Sequence, residues 1–108
     1  MRIRVSSPNG ELSEQELDVF QRDLEKIARR LHEFDDREEV RADVRVKENE
    51  EGPNHQVTVE LHFGRNHLVA TQTGGVDIHQ LTRQARDELL RQINDRSRRG
   101  HSSFAKGT

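Results

Sequence analysis

The side chains with the most chemistry to offer are six histidines and a set of bases concentrated on two segments. The histidines, His32, His55, His62, His67, His79 and His101, share the metal-ligand role with carboxylates alone, because cysteine is absent. None sits in an HxxxH pair, the spacing that puts two imidazoles on one turn of helix. If Gly64-Arg65 forms a two-residue type II′ turn, His62 and His67 face each other across a hairpin on its exposed side. The expectation is a plain polar pair with adventitious metal binding as the alternative, so neither a functional metal nor a cofactor is expected. No GxSxG elbow, phosphate loop or dinucleotide fingerprint is present. The glycine pair Gly74-Gly75 precedes a helix start, yet Asp77 there would compete with phosphate for the same amides. With no catalytic residues and no small-molecule site to propose, the chain reads as a non-enzyme.

The bases are the stronger lead. Net charge is -2, which gives the whole molecule no strong pull on polyanions. Its distribution is uneven: residues 11–51 hold 15 acids against 8 bases, whereas residues 77–108 hold 7 bases against 4 acids. The later segment offers Arg83, Arg86 and Arg91, then Arg96, Arg98 and Arg99; the earlier one offers Arg22, Lys26, Arg29 and Arg30. Asp18 with Arg22 and Glu25 with Arg29 have i,i+4 spacing, so ion pairing accounts for the earlier bases as a solvated surface. It accounts less well for Arg96 to Arg99. Trp and Tyr are absent and the four Phe fall mostly in apolar stripes, which argues against base stacking as in single-strand binders. Contact with the backbone of folded RNA, or with an acidic protein, remains.

These side chains need a scaffold, and the periodicity of the apolar residues supplies one. Ile3 and Val5 alternate with arginines in a short first strand. Leu12-Ser13-Glu14-Gln15-Glu16-Leu17 combines an N-cap, a capping box and a hydrophobic staple, and Leu17, Phe20, Leu24, Ile27, Leu31 and Phe34 then step by three and four through a helix. Val40, Ala42, Val44 and Val46 alternate with Arg41, Asp43, Arg45 and Lys47 in a second strand. Val57, Val59, Leu61 and Phe63 form a third, and His67 to Thr73 returns as a fourth with Leu68 and Ala70 inward. Val76-Asp77-Ile78-His79-Gln80-Leu81 repeats the helix-start code before a stripe of Ile78, Leu81, Ala85, Leu89 and Ile93. The fold class is therefore α+β, in the order β-α-β-β-β-α. The first crossover should be right-handed, which makes strands one and two parallel; the sheet is four-stranded and mixed, with both helices on one face.

A chain of 108 residues suits one core. The expectation is a single domain over residues 1–96 with a basic, disordered tail over 97–108. No run approaches a membrane helix, the first residues do not resemble a signal peptide, and the lack of cysteine fits a reducing compartment. A cytoplasmic protein with no membrane partner is expected.

The element order and two segments carry a resemblance to a known family. Val57-Thr58-Val59-Glu60-Leu61-His62-Phe63, followed by Leu68-Val69-Ala70-Thr71, is similar to the third strand and the "L-x-A-T" fourth strand of the short ribosome hibernation-promoting factors, also described as ribosome-associated inhibitor or sigma-54 modulation proteins. The resemblance extends over about residues 1–96. It implies the βαβββα fold and a translation inhibitor that sits on the small ribosomal subunit, obstructing the mRNA and tRNA sites during stress. It also implies that basic residues of both helices meet ribosomal RNA: Lys26, Arg29 and Arg30 on the first, and Arg83, Arg86, Arg91, Arg98 and Arg99 on and after the second. The length matches the short family type, without the dimerising C-terminal domain of the long one. Thr73 to Leu81 departs from the family's acidic-aromatic entry to the last helix, of the type "E-D-M-Y-A-A-I-D". The alternative function is a protein-interaction module of the same fold, using Arg4, Arg41, Arg45 and Lys47 on the exposed sheet face against an acidic partner.

Overall fold

The computed structural model describes residues 1–7, 12–48 and 54–98. Its elements are β1 (Arg2–Ser6), α1 (Glu14–His32), β2 (Val40–Lys47), β3 (His55–Phe63), β4 (Asn66–Gly74) and α2 (Ile78–Arg98). The strands lie in the order β1-β2-β3-β4. β1 runs parallel to β2, and β2, β3 and β4 form an antiparallel meander. This is the expected β-α-β-β-β-α arrangement.

Strict alternation sets the register. Val40, Ala42, Val44 and Val46 stand opposite Phe63, Leu61, Val59 and Val57, and Leu61 and Val59 in turn face Leu68 and Ala70. All of these are buried, together with Phe20, Leu24, Ile27, Ala28 and Leu31 of α1 and Leu81, Ala85, Leu89 and Ile93 of α2. They form one cluster, so both helices cover the same face of the sheet. A one-residue slip of any central strand would exchange its buried and exposed sets, which is why the pattern specifies the pairing so strongly.

The helix ends follow their local chemistry. Ser13 caps α1: its hydroxyl oxygen accepts the Glu16 N–H at 3.2 Å, and the hydroxyl donates to the Glu16 carboxylate at 3.3 Å. Asp77 plays the same part for α2, with the His79 N–H donating to its carboxylate at 2.9 Å. The α1 stripe is looser at its start than its spacing suggests, with Leu17 40% exposed, and the helix closes at His32 before Phe34. Bonds from Glu33 N–H to the Arg30 carbonyl (3.2 Å) and from Phe34 N–H to the Leu31 carbonyl (2.9 Å) tighten the last turn into i→i−3 geometry, and Phe34, just beyond the helix, still packs against the core. α2, by contrast, continues to Arg98, past Ser97 where the tail was expected to begin. Its last buried anchor is Ile93, and the turn that follows is built of Asp95, Arg96 and Arg98 with a single Ser97, residues that tolerate helix. Residues 99–108 lie outside the described residues. No helix among the described residues is long and apolar enough to cross a membrane.

The β3–β4 turn is Gly64-Arg65. Gly64 has φ +59° and no non-glycine residue among those described has a positive φ, so the first turn position is left-handed and the second is not, as a type II′ turn requires.

Candidate nucleic-acid interface

The surface available to a polyanion divides into the outer side of the helices and the open face of the sheet. On α1, burial of Phe20, Leu24, Ile27 and Leu31 fixes the helix rotation and turns Arg22, Lys26 and Arg29 outward, all exposed. Their spacing of four and three residues places them in one stripe. Among the described residues none of the three has a hydrogen-bond or ion-pair partner. The expected lacing by Asp18 and Glu25 is absent; Glu25 instead accepts a hydrogen bond from the Gln21 amide at 3.4 Å. Arg22, which the resemblance did not include among the contact residues, stands on the same stripe as Lys26 and Arg29.

The other expected contact residues are engaged. Arg30 spans the helix seam, donating to the Asn94 side-chain oxygen at 3.0 Å and to Glu33 at 2.7 Å, with its guanidinium 4.7 Å from the centre of the Phe34 ring. Arg83 lies 3.6 Å from the Asp23 carboxylate. That distance supplies charge compensation without a hydrogen bond, and the same Asp23 oxygen is buried with no hydrogen-bond partner. Arg86 is only 15% exposed; it bonds Asp87 at 3.0 Å and the Asp23 backbone carbonyl at 3.3 Å. Arg91 is held between Glu88 and Asp95, bonding each, with 2.9 Å from its Nε to Glu88 and 3.1 Å to Asp95. Its hydrogen bond holds the Glu88 carboxyl below the ordinary carboxylate value, and Glu88 raises Arg91 in return. The Arg98 side chain and Arg99 lie outside the described residues.

On the open sheet face Arg4, Arg41 and Lys47 are exposed and, among the described residues, without a partner. Arg45 pairs with Glu60, and Arg2 with Glu39 at 2.8 Å. His62 and His67 stand opposite each other, as the turn type implies, and their rings stack at 4.6 Å with a 9° interplanar angle.

Against this geometry, residues 3–101 match the family model described as Sigma 54 modulation protein / S30EA ribosomal protein. The chain belongs to this family. No curated protein matches it by sequence at a significant level. Among solved structures, the S30EA fold of this chain is similar to the Protein Y N-terminal domain of Thermus thermophilus, with a TM-score of 0.69 and 17% identity over 88% of this chain and 98% of that one. It is also similar to a ribosomal subunit interface protein of Coxiella burnetii, with a TM-score of 0.61 and 12% identity over 90% of this chain and 98% of that one. At such identities the likeness is one of fold.

The S30EA fold thus brings the described members of the expected set to the helix layer but not into one state. Lys26 and Arg29 face solvent and, among the described residues, are unpaired. Arg30, Arg83 and Arg86 bind α1 to α2, and Arg91 is exposed but laced to acids. Sequence spacing locates all of these residues on the helices. It does not separate the seam residues from the free ones, because their partners are remote in sequence.

Proposed function

We propose that the protein is a non-catalytic, cytoplasmic translation inhibitor of the hibernation-factor type, binding small-subunit ribosomal RNA through the basic side chains of its helix layer. The observation that carries this reading is the outward stripe of Lys26 and Arg29, extended by Arg22, on a chain of the S30EA ribosomal family. The description of the Coxiella burnetii structure as a ribosomal subunit interface protein supports the same direction. Three cations on successive turns, unpaired among the described residues, suit a phosphate backbone, which is read by charge and spacing rather than by base edges.

The α2 arginines join at different costs. A surface ion pair is worth about 0–1 kcal/mol, whereas a hydrogen bond to a charged group is worth about 1.5–3 kcal/mol. Arg91 can therefore leave Glu88 and Asp95 for phosphate. Arg86, enclosed and bonded to a backbone carbonyl, stays and positions the helices. Arg30 and Arg83 divide between the two roles; Arg99 and the Arg98 side chain, also expected to take part, lie outside the described residues.

The experiment is cosedimentation with small ribosomal subunits across a salt series. The protein is expected to travel with the subunit at low salt and to be released steeply as salt rises, since each phosphate contact frees counterions. A protein that stays at the top of the gradient at every salt concentration contradicts the proposal. The second reading, a protein-interaction module, is favoured by Arg4, Arg41 and Lys47 on the opposite face, unpaired among the described residues. Under it, charge reversal at Arg4 and Arg41 removes an acidic protein partner while reversal at Lys26 and Arg29 does not.

A further inference from the structure

The open sheet face carries a cluster that RNA binding by the helices does not use. Because a two-residue turn is closed by a hydrogen-bonded pair, here Phe63 and Asn66, the adjacent pair His62 and His67 falls where cross-strand side chains stand closest. Glu60 lies two residues before His62 on the same face. One ligand atom from each of Glu60, His62 and His67 lies within 4.8 Å of the others. The His67 Nε2 to Glu60 Oε2 distance is 3.3 Å. That is about the separation of two ligands held at roughly 2.0–2.1 Å around a tetrahedral ion.

We propose that Glu60, His62 and His67 form a site for one Zn²⁺ ion on the exposed face of the β3–β4 hairpin, with water completing the shell. Two imidazoles and a carboxylate are a donor set suited to zinc, and three protein ligands leave a position open. The charges around the site are mixed: Arg41 stands opposite His62, and Arg45 pairs with Glu60. Asp43 stands directly opposite Glu60 in the β2–β3 ladder and adds a second carboxylate beside the three ligands. Arg45 takes one oxygen of Glu60 and so orients the other toward His67. The Asp43 carboxylate has, among the described residues, no partner nearer than the His62 Nε2 at 3.7 Å. To converge on one ion the stacked rings must splay apart, and with side chains 30% and 52% exposed they have room to rotate. The site does not depend on the RNA reading and lies on the other side of the sheet from the helices.

The test is calorimetric titration of chelator-stripped, full-length protein with Zn²⁺ alone, with Mg²⁺ as the hard-cation control. One saturable Zn²⁺ site per chain is expected, with no competition from Mg²⁺. His62→Gln and His67→Gln should each weaken it at least about tenfold, a floor set by the about 10–100-fold cost of losing even an outer-sphere partner. His55→Gln should leave it unchanged, and the His62 and His67 ring resonances should be the ones that shift. These are surface substitutions, so unchanged circular dichroism separates lost binding from lost fold. No saturable uptake, undiminished uptake by His67→Gln, or equal weakening by His55→Gln overturns the proposal.

Discussion

α1 and α2 lie over the same sheet and carry comparable sets of bases, yet among the described residues α1 leaves Arg22, Lys26 and Arg29 free while α2 has Arg83, Arg86 and Arg91 engaged with acids or backbone. Spacing alone does not separate the two helices, since Asp18–Arg22 and Glu25–Arg29 on α1 and Asp87–Arg91 on α2 all have the favourable i,i+4 order with the acid first. The energies explain the outcome. An exposed helical pair is worth about 0.3–0.5 kcal/mol, below thermal energy, so an i,i+4 opportunity does not decide whether a pair forms. Arg83 and Arg86 are decided by something larger: they lie at the seam where α2 meets Asp23 of α1, and burial there penalises any unsatisfied group. The lesson is that a base at the helix seam is engaged by groups remote in sequence, whereas an exposed base such as Arg91 is engaged only through its neighbours along the helix.

That contrast can be broken most forcefully through the core it rests on. Leu24→Ala in α1 and Leu89→Ala in α2 each remove a fully buried side chain and should cost about 2–5 kcal/mol in urea unfolding. If one were nearly neutral, the two helices would not share one core. Next in size is the seam. Arg86→Ala should destabilise by about 1–2 kcal/mol, because it strips the Asp23 carbonyl of a donor in a part-buried position. Lys26→Ala, on the free stripe, should change stability by no more than about 0.5 kcal/mol. Equal losses in the same urea series would erase the distinction between seam and stripe.

The smallest effect concerns Arg91. Its hydrogen bond holds Glu88 below the ordinary carboxylate value, so the folded state binds that proton less readily than the unfolded chain. The resulting stability is present above the unfolded value and is lost as pH falls through the lowered folded value. Arg91→Gln should move the Glu88 titration upward in a carboxyl NMR series. The stability difference between the two proteins should exist at neutral pH and shrink in acid. A Glu88 titration unmoved by Arg91→Gln would show that the pair does not persist in solution.

Much of the fold was legible because its signals are local. Ser13 and Asp77 cap within three residues, the Val40 to Val46 alternation faces one way, and Gly64-Arg65 sets the hairpin register. The placement of Arg22, Lys26 and Arg29 on an outward stripe follows from the positions of Phe20, Leu24 and Ile27. The seam was not legible: Arg30 meets Asn94, and Arg86 meets the Asp23 carbonyl, across more than sixty residues of chain. Pattern along a chain reports which face a residue occupies, not which distant group fills the space in front of it. The same holds for Glu60. Its meeting with His67 follows only once the β3–β4 register is fixed, although the His62–His67 pair could be read from the turn. The end of α2 was misplaced because helix can outlast the apolar stripe that anchors it.

The central claim, that the free stripe of α1 leads the contact with ribosomal RNA, is tested most directly by the salt dependence of small-subunit binding for Lys26→Ala and Arg29→Ala beside Arg41→Ala. Each α1 substitution should lower the slope of log affinity against log salt by about 1, while Arg41→Ala leaves it unchanged. A slope that falls with Arg41→Ala and holds with both α1 variants would place the contact on the open sheet face and contradict the account.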